Sequence, residues 1–156
     1  MKRLLVVVFS IVALGMLGAA VAAWAGSPAR HPGGAKSFTV IEHATTDETT
    51  DTGAQGDTAG DVLTFANEVF DRTDARRVGT DQGYCIRVVP GASYECNFTI
   101  ILASGQIVVE GPFYDAKDST LAVTGGTGRF RRARGTMDLR SLAGGTKFAF
   151  VFHLKG

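Results

Sequence analysis

Net charge is nearly absent: 16 Lys and Arg stand against 15 Asp and Glu, and the three histidines are scattered at positions 31, 43 and 153. A chain so close to neutral has no overall field to recruit nucleic acid, so no nucleic-acid partner is expected. Catalytic spacings are missing too. There is no G-x-S-x-G elbow, no His-Glu-x-x-His pair and no paired-cysteine zinc spacing, which excludes the hydrolases and zinc sites those motifs mark. Neither metal nor cofactor is expected. No internal repeat and no second long apolar run is present, so solenoids and multi-span membrane folds drop out. Cysteine is limited to Cys85 and Cys96 and proline to four residues.

The one long apolar run lies at the start. Lys2 and Arg3 precede residues 4–21, which are almost wholly apolar, and Ala23-Trp24-Ala25 makes an A-x-A cleavage site before Gly26. Residues 1–25 therefore read as a secretory signal helix, with an uncleaved anchor as the alternative. In the first case the protein is exported; in the second the membrane holds it through this segment alone. Removal of Lys2 and Arg3 leaves 14 basic against 15 acidic residues. Residues 26–36, with Pro28, Pro32, Gly33 and Gly34, form a flexible linker. The remainder, 37–156, suits one domain with one core.

What is abundant after residue 36 is alternation. Apolar residues recur with period two over 37–44, 62–70, 82–89, 94–102, 106–113, 119–124, 136–142 and 147–154, the last placing Phe148, Phe150, Phe152 and Leu154 on one face. Eight short strands at regular spacing, without a helical pattern, predict an all-β fold, an antiparallel barrel or sandwich. A barrel of about eight strands has just enough interior for packed side chains or one small ligand. Its lumen would be apolar, as small-molecule sites usually are.

Polar residues that break the apolar faces are the candidates for chemistry. Glu42 shares a face with Phe38 and Val40, and is either lumen-facing or solvated at a wet strand end. Asn67 shares a face with Leu63, Phe65 and Val69 and needs hydrogen-bond partners, a water or a ligand. Residues 45–60 are polar, acidic and rich in Thr and Gly, a composition that buries no core and predicts a mobile loop at a barrel rim. If Pro90-Gly91 is a two-residue hairpin loop, Cys85 faces Cys96 directly. In an exported chain that favours a disulfide, worth ~3 kcal/mol for a short loop. A longer loop would shift the register, and the competing reading is a partly buried thiol at Cys85.

Residues 120–139 read as strand, glycine turn (Gly125, Gly126, Gly128), arginine-rich crossing (Arg129, Arg131, Arg132, Arg134) and strand. The glycines lack the Gly-Lys-Ser/Thr ending and following helix of a phosphate loop. The arginines lack aromatic platforms and read as a solvated run.

These residues resemble the allene oxide cyclase family, whose superfamily includes the dirigent proteins. The resemblance runs from about Val40 to Gly156, carried by Gly60, Asp61, Phe65, Asn67 and Asp71; by Val78, Gly79, Gly83 and Cys85; by Gly111, Pro112, Phe113 and Asp118; and by residues 121–128 with Phe130. It implies an eight-stranded barrel with a hydrophobic lumen, often assembled as a homotrimer. Plant cyclases of this kind turn a fatty-acid allene oxide into a cyclopentenone, largely by confining its conformation. By resemblance Glu42 matches the glutamate that assists epoxide opening, Asn67 an asparagine that holds a water, and Cys85 a cysteine thought to aid a geometry change. Phe65, Phe113, Asp71 and Arg134 become substrate contacts, the last two by likeness to dirigents. Ala44, Asp51 and Phe113 stand where the family carries asparagine, proline and tyrosine, and Cys96 has no counterpart. The expectation is a secreted barrel that binds an apolar small molecule and directs its cyclisation or isomerisation. The alternative is a non-catalytic, dirigent-like binding module held by a disulfide.

Overall fold

The structure, a computed structural model, describes residues 36–155; the expected signal helix and the linker before Lys36 lie outside the described residues. Ten strands run β1 (Lys36–His43), β2 (Glu48–Thr50), β3 (Val62–Phe65), β4 (Glu68–Asp71), β5 (Arg77–Val89), β6 (Ser93–Leu102), β7 (Gly105–Tyr114), β8 (Ser119–Gly126), β9 (Arg134–Leu142) and β10 (Lys147–Lys155). All their pairings are antiparallel. The order β2-β3-β5-β4-β1-β10-β9-β8-β7-β6 closes through an additional β5–β6 pairing. Because β3 and β4 both pair with β5, they are one wall strand broken at Ala66 and Asn67, and the wall is a closed eight-stranded barrel. Closure leaves no long edge of unpaired backbone, and the extra strand β2 is only three residues long.

Registers fix which residues face inward. Phe38, Val40 and Glu42 of β1 lie opposite Phe152, Phe150 and Phe148 of β10, so the alternation read from both segments belongs to one lumen face. Phe150, Phe152, Ile100, Ile107, Leu121, Met137, Val69 and Val109 are fully buried there. At ~2 kcal/mol for each large apolar side chain, this packed middle is the main source of stability. The interior is therefore filled at its waist rather than hollow throughout.

The β5–β6 hairpin corrects the turn but keeps the pairing. Ala92 N–H donates to the Val89 carbonyl, and the register shifts between Arg87 and Val89. The loop is thus longer than Pro90-Gly91, and a bulge absorbs the extra residue before it reaches the cysteines. Cys85 still opposes Cys96, and the two form a disulfide. Gly135 on β9 adopts φ +141° with the backbone of His153 where a side chain would start. Only glycine lets β9 and β10 meet there.

The acidic segment after β1 does not hang free. Asp61 accepts hydrogen bonds from Thr52 N–H (3.1 Å), Thr58 N–H (2.7 Å) and Thr58 Oγ1 (3.1 Å). Those bonds hold its carboxyl below the usual range, with the nearby Arg87 charge adding to them. Arg87, buried over the Tyr94 ring, pairs with Asp57 at 2.6 Å and Asp115 at 2.7 Å. Charged and polar anchors here take the place of the hydrophobic ones the composition lacks.

Candidate functional site

The candidate site lies at the end of the barrel where β1 finishes, and it is built from three polar residues that point inward. Glu42 reaches it because its position alternates with Phe38 and Val40, and it is buried. Asn67 reaches it because the wall strand breaks there, freeing its side chain for the space beside Glu42. The third is Asp81 on β5, inward because it shares parity with Gly83 and Cys85.

Asn67 holds the cluster together. Its Nδ2 donates to Glu42 Oε1 at 2.8 Å and to Asp47 Oδ1 at 2.7 Å. Its Oδ1 accepts from the N–H groups of Thr45 and Thr46, both at 3.0 Å, and from Thr46 Oγ1 at 2.9 Å. Carboxylates on one side and N–H donors on the other leave one orientation for the amide. The Asn67 backbone exchanges hydrogen bonds with Asp81, N–H to carbonyl each way at 3.0 Å.

Two carboxyl groups buried side by side cannot both be charged at low cost. Burial pushes the Asp81 carboxyl up to about 9, helped by the charge of Glu42 and the hydrogen bond shared with it. Glu42 is raised as well, again chiefly by burial and against the hydrogen bonds from Asn67 and Asp81. At neutral pH Asp81 therefore holds a proton. A proton on Asp81 lets it donate in the hydrogen bond the two carboxyls share. A neutral acid and a carboxylate sit together, the pattern by which enzymes separate proton donor from charge stabiliser.

Glu42 lines a cavity of about 60 Å³, walled by Phe65, Phe98, Phe113, Phe148 and the Cys85–Cys96 bridge; Asp81 sits behind Glu42 and does not line it. It holds a few waters or the reacting end of a molecule rather than the whole of one. Phe65 meets Phe98 edge-on at 5.4 Å and Phe113 meets Phe148 edge-on at 5.9 Å, so the apolar walls are braced.

Of the residues expected at the site, Glu42, Asn67, Phe65, Phe113, Cys85 and Cys96 come together. Three readings change. Cys85 has no thiol, because both sulfurs are in the bridge and no cysteine is free; the disulfide reading stands and the thiol role does not. Asp71 does not line the cavity: it accepts from Thr73 N–H (3.1 Å), Thr73 Oγ1 (2.7 Å) and Ala75 N–H (3.2 Å), and so organises the turn between β4 and β5. Arg134 is exposed and donates to the carbonyl of Ala133 at 2.7 Å. Among the described residues no group of acidic, His or Cys side chains is arranged to hold a metal ion. Asp81 is the residue that sequence reading passed over. Its signal was parity with Cys85, hidden because the strand was begun at Gln82 instead of Arg77.

Residues 40–156 match the family model for allene oxide cyclase. The chain belongs to the allene oxide cyclase family. Among solved structures this family member is similar to a pyocyanin demethylase, 25% identical over 75% of this chain and all of the other, with TM-score 0.65. An exo-specific intermolecular Diels-Alderase, AbnU, is 16% identical over 80% of this chain and 100% of its own, with TM-score 0.64. The pterocarpan synthase dirigent protein PsPTS1 is 17% identical over 81% of this chain and 99% of its own, with TM-score 0.60. The last two likenesses establish the barrel alone, and their named chemistries differ.

Proposed function

We propose that this allene oxide cyclase family barrel admits the reacting end of a largely apolar small molecule beside Glu42 and Asp81, and promotes its cyclisation or isomerisation. The observation that carries this reading is the buried Glu42, gripped by Asn67 and lining a phenylalanine-walled cavity, with the buried carboxyl of Asp81 beside it. Asp81, which does not line the cavity, would pass its proton through the hydrogen bond it shares with Glu42 to an epoxide or carbonyl oxygen as that oxygen gains charge. Glu42, ionised in a site of low dielectric, would stabilise the cation that develops on carbon. The aromatic walls would restrict the substrate to conformers close to ring closure. Return of the proton to Asp81 completes an isomerisation that needs no co-reactant.

The bridge between Cys85 and Cys96 supports a working place outside the reducing cytosol, in keeping with an export signal at residues 1–25. Loss of the thiol and of the tyrosine hydroxyl, with Phe113 in that place, favours a second reading: a binding module that orients its ligand without proton transfer. One experiment separates the two. A fatty-acid allene oxide is generated in the presence of the protein, and the yield and handedness of cyclopentenone are compared for wild type, Glu42→Gln and Asp81→Asn. The proton-transfer reading expects both variants to lose yield while still binding the product. Unchanged yield in both would leave the binding module.

A further inference from the structure

The arginine crossing takes no part in the acid cavity, yet it shapes a second one. At the opposite end, where β1 and β7 begin and β6 and β10 finish, a cavity of about 680 Å³ opens. Its floor is Phe38, Leu102, Phe130 and Leu154. Phe38 stacks on Phe152 at 4.8 Å and against Phe130 at 6.0 Å, so the floor continues the packed waist. That waist, with Phe150, Phe152, Ile100 and Ile107 almost wholly inaccessible, separates this chamber from the acid pair.

The rim is basic. Lys36, Arg129, Arg132 and Lys155 line it, and among the described residues no acidic side chain does. Among the described residues none of these four makes an ion pair. Residues 26–35, which precede Lys36, contain Arg30 and His31 but no Asp or Glu, so the linker brings no counter-charge. Their position comes from the turn: Arg129 N–H donates to the Ser104 carbonyl at 2.9 Å and Ala133 N–H to the Phe130 carbonyl at 2.7 Å. These bonds coil the crossing over the barrel end with Phe130 inward and Arg129 and Arg132 at the lip.

Four cations around an aromatic floor are complementary to one kind of ligand. We propose that this mouth is a second binding site, separate from the acid cavity, for an amphipathic anion. A carboxylate or phosphate head meets the guanidinium forks of Arg129 and Arg132, with Lys36 and Lys155 adding charge. The hydrocarbon part lies on Phe38, Phe130, Leu102 and Leu154. The site does not depend on the reaction proposed above, since it shares no residue with Glu42 and Asp81.

The test is isothermal titration of the protein with octanoate and octyl phosphate, and with octanol, octylamine and inorganic phosphate as comparisons. Both octyl anions should bind, more weakly as salt rises. Octanol, octylamine and inorganic phosphate should each bind at least about tenfold more weakly, because each lacks one half of the match. The variant Arg129→Glu/Arg132→Glu should lose about tenfold or more in affinity. Arg129→Lys/Arg132→Lys, which keeps the charge but not the forks, should bind more tightly than the glutamate variant and more weakly than wild type, and Lys117→Glu/Arg140→Glu, which changes net charge equally elsewhere, should bind as wild type does. Octanol binding as tightly as octyl phosphate would overturn the anion half of the proposal. Inorganic phosphate doing so would overturn the amphiphile half. A folded Arg129→Glu/Arg132→Glu protein with unchanged affinity would overturn the site itself.

Discussion

Replacing Asp81 by Asn should flatten the pH dependence of stability on the alkaline side. In the unfolded chain this carboxyl titrates near its ordinary value of 3.8, whereas in the barrel it is pushed up to about 9. Between those values the folded state holds a proton that the unfolded state has released. For a carboxyl raised in this way the folded state is favoured at low pH, and stability falls as pH rises. The slope for one proton is about 1.4 kcal/mol per pH unit, so the wild type should lose about 3 kcal/mol between pH 6 and pH 8. An asparagine at 81 donates to Glu42 and accepts from Asn67 N–H with no proton to bind, so that contribution disappears. Urea unfolding of both proteins at pH 6, 7 and 8, disulfide intact, reads the difference between the slopes. Groups remote from Asp81 are common to both chains and cancel, and the same comparison made in a Glu42→Gln background removes the one neighbour whose titration is tied to Asp81. Parallel slopes would show that Asp81 does not carry the proton, and the proton-donor reading of the site would fall with it.

Asn67→Ala removes the donor shared by Glu42 and Asp47 and the acceptor for Thr45 and Thr46, and chemical denaturation should show a loss of about 3 kcal/mol. Cys85→Ala/Cys96→Ala opens a loop of 11 residues and should cost about 3 kcal/mol by the same assay, with the barrel still formed by circular dichroism. Gly135→Ala forces a side chain into the His153 backbone at positive φ; soluble yield should collapse, and a folded variant of wild-type stability would contradict the β9–β10 contact. On the acid side, Asp61 is held below its ordinary range by Thr58 and Thr52. Its contribution is complete above about pH 4 and lost as pH falls through the lowered value, so Asp61→Asn should be less stable at pH 6 and the gap to wild type should narrow as the pH is taken down from 4.

Strand alternation carried most of the fold. Phe148, Phe150 and Phe152 on one face, opposite Phe38, Val40 and Glu42, are enough to imply a one-sided wall, and polar exceptions on such walls are visible without coordinates. That is why Glu42 and Asn67 were legible. The Cys85–Cys96 register was legible although the loop was not, because a bulge beside Val89 takes up the extra residue locally. Asp81 was missed through a strand start placed too late, at a position flanked by residues that look like a turn. Asp71 and Arg134, assigned by likeness alone, were claimed by contacts within a few residues of themselves, which no wall pattern reveals. The arginine crossing has no period at all, so its place over the barrel mouth follows only from the backbone bonds that coil it.

The break at Ala66 and Asn67 has a mechanical meaning. Around most of the barrel, neighbouring strands are tied by backbone ladders that open only with the whole cage. Between residues 44–47 and the broken wall strand, much of the tie is instead a side-chain amide, reached by Thr45 and Thr46. A rung of that kind can let go without unzipping its neighbours. The stiff cage thus has a compliant joint, and the same amide grips Glu42, so whatever displaces the carboxylate also loosens the joint. Amide hydrogen exchange at Thr45 and Thr46 is where that coupling would be heard.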